Sequence, residues 1–171
     1  NLFASYRSKW LNTWGGEWRS DLVLGTDVLA GTEFYQPIGQ SQYMFVVPRV
    51  QYSVTPWYLF EDTIQIAQYR NTQAIAALDL GANIIQYGDA RIGLRYGYTS
   101  FELLSGIPQF PARRNTNIGA VNAQLTLDRL DSLNFTHSGY RLLAQMYSSM
   151  SALGADDEYA YWRGLAGGAK T

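Results

Sequence analysis

The sequence holds one histidine, His137, and it stands beside Ser138. A histidine base next to a serine hydroxyl is the pair from which a nucleophilic hydrolase is built. The elbow Gly-x-Ser-x-Gly, which presents such a serine on a strand-to-helix turn, does not occur. With a single histidine and no cysteine, a His-based triad has no support beyond that one turn residue. Multi-histidine and thiolate metal sites are absent altogether. The run Asp156-Asp157-Glu158 offers carboxylates, yet three consecutive acids lack the spaced oxygen ligands of a calcium loop and read as a solvated connection. No catalytic residue, cofactor site or metal site is assigned, and the expectation is a protein that is not an enzyme.

The remaining chemistry is basic. Of 13 Lys and Arg residues only Lys9 and Lys170 are lysine. Arg7, Arg19, Arg49, Arg91, Arg95, Arg129 and Arg141 fall on the polar sides of candidate strands. Two readings stay open. The arginines line a channel that passes or holds a polar chain, or they pair with Glu17, Asp21, Asp79 and Asp128 to stabilise a crowded interior.

The elements that would carry these residues are strands. Ala90, Ile92, Leu94, Tyr96 and Tyr98 alternate with Arg91, Gly93, Arg95, Gly97 and Thr99, and residues 117–127 repeat the pattern. Successive side chains of a strand point to opposite faces, so each segment has one apolar and one polar side. Similar alternation occupies residues 1–11, 17–25, 31–36, 43–55, 64–85, 140–150 and 159–170, about nine strands in all. Connections at 12–16, 37–41 and 86–89 read as short, and those at 56–62, 104–115 and 151–157 as longer. Pro48 inside a strand predicts an edge or a bulge, because proline cannot donate to the ladder.

Hydrophobic residues make up 47 % and aromatic residues 15 %, while mean hydropathy is slightly negative. No apolar run is long enough for a transmembrane helix. A membrane barrel hides from such averages, because its lipid-facing apolar residues alternate with polar ones. Trp10, Trp18, Tyr52, Trp57, Tyr96 and Tyr98 read as aromatics at the membrane interfaces. The net charge of −1 gives no footprint for nucleic acid. The first residues lack the form of a signal peptide, and a transmembrane barrel cannot leave an edge open. The chain is therefore expected to be part of a barrel that continues at both ends, one domain over residues 1–171.

The segment Leu130-Asp131-Ser132-Leu133-Asn134-Phe135-Thr136-His137-Ser138-Gly139 resembles the Asp-[Asn/Ser]-x-x-Phe-Pro-x-x-Gly signature of the bacterial surface antigen family, which includes the BamA-type barrels. Asp131, Ser132, Phe135 and Gly139 match, and Thr136 stands where the family usually has proline. Thr13-Trp14-Gly15-Gly16-Glu17-Trp18-Arg19 and Glu33-Phe34-Tyr35-Gln36-Pro37 are similar to the branch fused to patatin-like hydrolases, the type V autotransporters of the patatin class. The resemblance implies an outer-membrane barrel of about 16 strands. It also implies a role as translocator or anchor of an attached passenger, or in outer-membrane protein assembly. The family's Arg-Gly-Phe element on an inward-folded loop has no counterpart in these residues.

The expected fold class is thus all-β, an antiparallel up-and-down transmembrane β-barrel, or a half-barrel that closes by forming a homo-oligomer. Its expected partners are the lipid bilayer of a bacterial outer membrane and a fused or neighbouring passenger domain. A soluble up-and-down barrel that binds an apolar small ligand is the competing reading, and the two differ in which face is apolar. A lipid-acting enzyme is the third, resting on His137 and Ser138.

Overall fold

The computed structural model describes residues 2–39, 41–84, 87–106, 111–129 and 138–170. Nine antiparallel strands follow one another up and down in a single open sheet, in sequence order. They are β1 (Leu2–Ser8), β2 (Glu17–Leu24), β3 (Val28–Ile38), β4 (Met44–Glu61), β5 (Ile64–Ile84), β6 (Gly88–Gly106), β7 (Arg113–Asp128), β8 (Ser138–Ser149) and β9 (Tyr159–Lys170). The only helical element among the described residues is one 3-10 turn, Ser151–Leu153. None of the helical structure is long and apolar enough to cross a membrane, which leaves crossing by strands open. Among the described residues β1 pairs only with β2 and β9 only with β8, so the sheet has two edges.

Several boundaries differ from the sequence reading. The segment 56–62 is not a loop: β4 continues to Glu61 and β5 begins at Ile64, with a tight turn at Asp62 (φ 52). Its aromatic residues pair across the hairpin, Trp57 with Tyr69 and Tyr58 with Gln68, as their preference for a pleated surface favours. Within the segment 104–115, β6 runs on to Gly106 and β7 begins at Arg113, and β3 takes in both 28–30 and Pro37. The asymmetry between the ends of the sheet therefore lies in long hairpins more than in long loops.

Pro48 sits at neither an edge nor a bulge. The β3–β4 ladder joins Glu33 to Arg49 and resumes at Gln36 with Val46, and Pro48 falls in that gap. The ladder to β5 runs on through it, pairing Pro48 with Leu78. Pro56 has the same parity along β4, so its missing N–H points to the same side. There it lies beyond Val54, the partner of Val28 where β3 begins, and no neighbouring strand needs its donor.

The sheet curls toward the face that carries the arginines. Arg91 of β6 and Arg7 of β1 line a common cavity with Glu17, Arg19, Glu33 and Val47. In a flat sheet those two strands would stand about 24 Å apart. Side chains crowd on this concave face: Phe45 and Asp79 are each 1 % exposed although no second layer covers them. Glycines make room. A Cβ at Gly81 would lie 2.3 Å from the Phe45 ring, and one at Gly93 would lie 1.8 Å from Asp79 Oδ1.

A candidate lipid-facing belt over a charged inner face

The strand register decides which residues share a face. Arg7 pairs with Arg19, Arg19 with Glu33, Glu33 with Arg49, Arg49 with Ala77 and Ala77 with Arg95, a single row across six strands. Arg91 has the parity of Arg95 on β6, and Arg141 pairs with Asp128, which has the parity of Ala120, the partner of Arg95. Six of the seven arginines singled out from the sequence therefore stand on the concave face.

Each of them has a carboxylate. Arg7 pairs with Glu17, Arg19 with Asp21 (2.8 Å), Arg91 with Asp89 (2.7 Å) and Arg141 with Asp128 (3.6 Å). Asp79 serves two. Arg95 donates to both of its oxygens, Nη1 to Oδ1 at 2.6 Å and Nη2 to Oδ2 at 3.2 Å, and Arg49 Nη2 lies 3.6 Å from Oδ2. The four acids named from the sequence are all engaged by these arginines. Arg129 lies over the Tyr87 ring and Arg91 over Phe45, with guanidinium carbons 4.9 and 5.4 Å from the centroids. No described buried side-chain N or O atom lacks a hydrogen-bond partner. Arg7–Glu17, Arg49–Asp79, Arg95–Asp79 and Arg141–Asp128 join adjacent strands, whereas Arg19–Asp21 and Arg91–Asp89 each lie within one strand.

Alternation alone does not show which glycine on this face Asp79 depends on; the register does, since Asp79 is the partner of Gly93. A Gly93→Ala chain must push the carboxylate away from both arginines. The expected loss of stability is about 1–3 kcal/mol. Gly164→Ala should be close to neutral, because a Cβ there meets nothing within 4 Å. Equal unfolding midpoints for the two variants in a denaturant titration would refute the role given to Gly93.

The convex face is apolar. On β6 the outward residues from Ala90 to Tyr98 are Ala90, Ile92, Leu94, Tyr96 and Tyr98, and on β5 they run from Ala82 through Leu80, Leu78 and Ala76 to Ala74. Val121, Ala123 and Leu125 of β7 and Leu142, Ala144 and Met146 of β8 continue the surface. These side chains are open to the surroundings: Leu94 is 51 % exposed, Tyr96 66 % and Trp162 of β9 84 %. Polar residues follow at one margin, with Thr72 and Ser100 paired next to Ala74 and Tyr98, and Arg70 and Glu102 beyond them.

The aromatics chosen from the sequence do not all join this surface. Tyr52 and Tyr98 lie in one row with Ala74 between them, and Tyr96 lies one outward row nearer the middle. Trp18 shares their face, and its indole N–H reaches the hydroxyls of Ser20 (3.0 Å) and Thr32 (2.8 Å). Trp10 is in the β1–β2 connection with φ 58. Trp57 is a correction. It has the parity of Arg49, so it stands on the concave face, with its ring 5.7 Å from that of Phe101.

Asp131, Ser132 and Phe135 of the family-like turn, with Thr136 and His137, lie outside the described residues. Gly139 is described and has φ 123, where a side chain would be strained. The acids at 156–158 are individually committed. Asp156 accepts from the Asn117 N–H at 2.6 Å, Asp157 pairs with Arg114 at 3.0 Å, and Glu158 accepts from the Ser151 N–H at 2.9 Å. Hydrogen bonds from Ser151, its side chain first, hold the Glu158 carboxyl below the usual range. Among the described residues no group of three or more potential ligands could hold a metal ion. No protein-family model matches the chain, and no curated protein is similar enough to be matched to it.

Proposed function

We propose that the chain forms part of the wall of a transmembrane β-barrel in a bacterial outer membrane, as an anchor or translocator for an attached domain. One observation carries the membrane reading: the polarity of the sheet is inverted. The concave face, which a soluble barrel would fill with apolar side chains or an apolar ligand, holds six arginines and their carboxylates. The convex face, which a soluble barrel would turn to water, is apolar and exposed.

The height of that surface supports the reading. Ala90–Tyr98 on β6 and Ala74–Ala82 on β5 are nine-residue stretches, and a tilted strand crosses a bilayer in about 9–11 residues. Beyond them β5, β6 and β7 continue past Ala74 and Tyr98 with polar outward residues, among them Thr72, Arg70, Ser100, Glu102, Asn117 and Asn115, as strands do that project into water. Lipid would leave the edges of β1 and β9 unsatisfied, so both pair with further strands, whether of the same polypeptide or of another copy. The role as anchor or translocator, with a patatin-like passenger or in assembly of other barrels, follows from the resemblance at residues 130–139 and around Trp14 and Phe34.

Refolding into vesicles whose lipids carry bromine on the acyl chains tests the membrane reading. Tryptophan fluorescence should be quenched, and unboiled protein should migrate differently from boiled protein on a gel. A chain that stays monodisperse without detergent and shows no quenching would sink the proposal.

A further inference from the structure

Past the arginine pairs, toward the tips of the long hairpins, the concave face deepens into a cavity of ≈ 560 Å³ walled by β4 to β9. That volume is in the range of small-molecule sites. Its lining differs from the rest of the face. Trp57 and Phe101 present rings 5.7 Å apart at 50° to one another, and Trp57 is 64 % exposed, so its ring is not covered by protein. On the opposite wall Tyr159 stacks on Tyr147 at 5.6 Å, and Tyr147 stacks on Tyr161 at 5.2 Å. Asn71, Gln73 and Thr99 line the space as well. Thr99 donates to Asn71 Oδ1 at 2.8 Å, and among the described residues nothing takes the Asn71 amide N–H groups or the Gln73 amide.

Charge narrows the ligand. Among the described residues, Arg114 and Asp157 are the only ionic residues in the lining, and they pair with each other at 3.0 Å. An anionic ligand would find no free cation there. An apolar one would strand the amides, since a buried amide without a partner is costly. A neutral sugar suits both features. One face of a pyranose ring is a patch of C–H bonds that rests on the negative face of an aromatic ring, and its hydroxyls both donate to and accept from amides. We propose that this cavity binds a neutral oligosaccharide, stacked on Trp57 and Phe101 and oriented by Asn71 and Gln73. The site depends on its own walls, whether or not the convex face meets lipid.

The test uses the whole folded chain in a sugar-free detergent such as an amine oxide, titrated separately with maltotriose, cellotriose and chitotriose while tryptophan emission is followed. At least one should give a saturable change. Trp57→Leu should abolish that signal, Gln73→Ala should weaken binding tenfold or more by calorimetry, and Trp18→Phe should leave the affinity unchanged. If Trp57→Leu does not fold, Gln73→Ala decides. No saturable binding of any of the three sugars, or binding that survives both substitutions, overturns the proposal.

Discussion

An Asp79→Ala chain is expected to unfold at much lower denaturant than the parent, with a loss of about 3–5 kcal/mol. The carboxylate is 1 % exposed and holds Arg95 through both oxygens, with Arg49 on the other side. Removing it leaves the Arg95 guanidinium largely buried without its carboxylate, and leaves half-buried Arg49 with only its cross-strand partner Glu33 to turn to. The cost comes from stranding charge more than from the lost attraction. Replacing all three residues, Asp79→Leu with Arg49→Met and Arg95→Met, should therefore restore most of the stability, because a well-packed apolar cluster of similar volume is often as stable as a buried ion triad. Urea titrations of the refolded protein distinguish the two variants. If Asp79→Ala loses under 1 kcal/mol, or the triple variant is the worse of the two, Asp79 is not the tie that joins β4, β5 and β6.

The strands and their faces were legible because period-two alternation survives along most of the chain. β5 shows this best: Ala74 to Leu80 against Gln73 and Asp79 predicts one long strand, and the structure has 21 residues there without a break. The ends of the long hairpins were not legible. Pro56 and a cluster of aromatics resemble a loop until the neighbour is known. Pro56 is tolerated because β3, which begins at Val28 opposite Val54, does not reach it. Trp57 reads as an interface aromatic by its position near a strand end, and only the continuation of β4 through it gives it the parity of Arg49 and puts it on the concave face.

The dependence of Asp79 on Gly93 lay beyond reach for a different reason. It rests on register, and a slip of one residue would put a different glycine or none beneath the carboxylate. The pairing of Ile84 with Gly88, only four positions apart in the chain, sets that register. Pairing of the arginines was one of two open readings, and their density on one face left it undecided without the register. The aromatic cavity had no sequence signal, since its walls come from strands far apart in the chain.

Leu94→Arg probes the convex face most directly. Leu94 lies at the centre of the outward stretch of β6, between Leu78 and Val121, and is 51 % exposed. Facing lipid at the middle of the bilayer, an arginine there should cost about 2–4 kcal/mol. The same change on a water-exposed sheet should stay within about 0.5 kcal/mol. Position separates a membrane cost from a general intolerance of arginine. Thr72→Arg, on the same face but at the polar margin beside Ser100, should cost only about 0–1 kcal/mol, as arginine does near the interface. The measurement is reversible unfolding from vesicles. A depth-dependent penalty, large at Leu94 and small at Thr72, is what a bilayer produces. Equal and negligible penalties at both positions would mean that water covers the apolar face in the native protein, and the barrel-wall reading would fall.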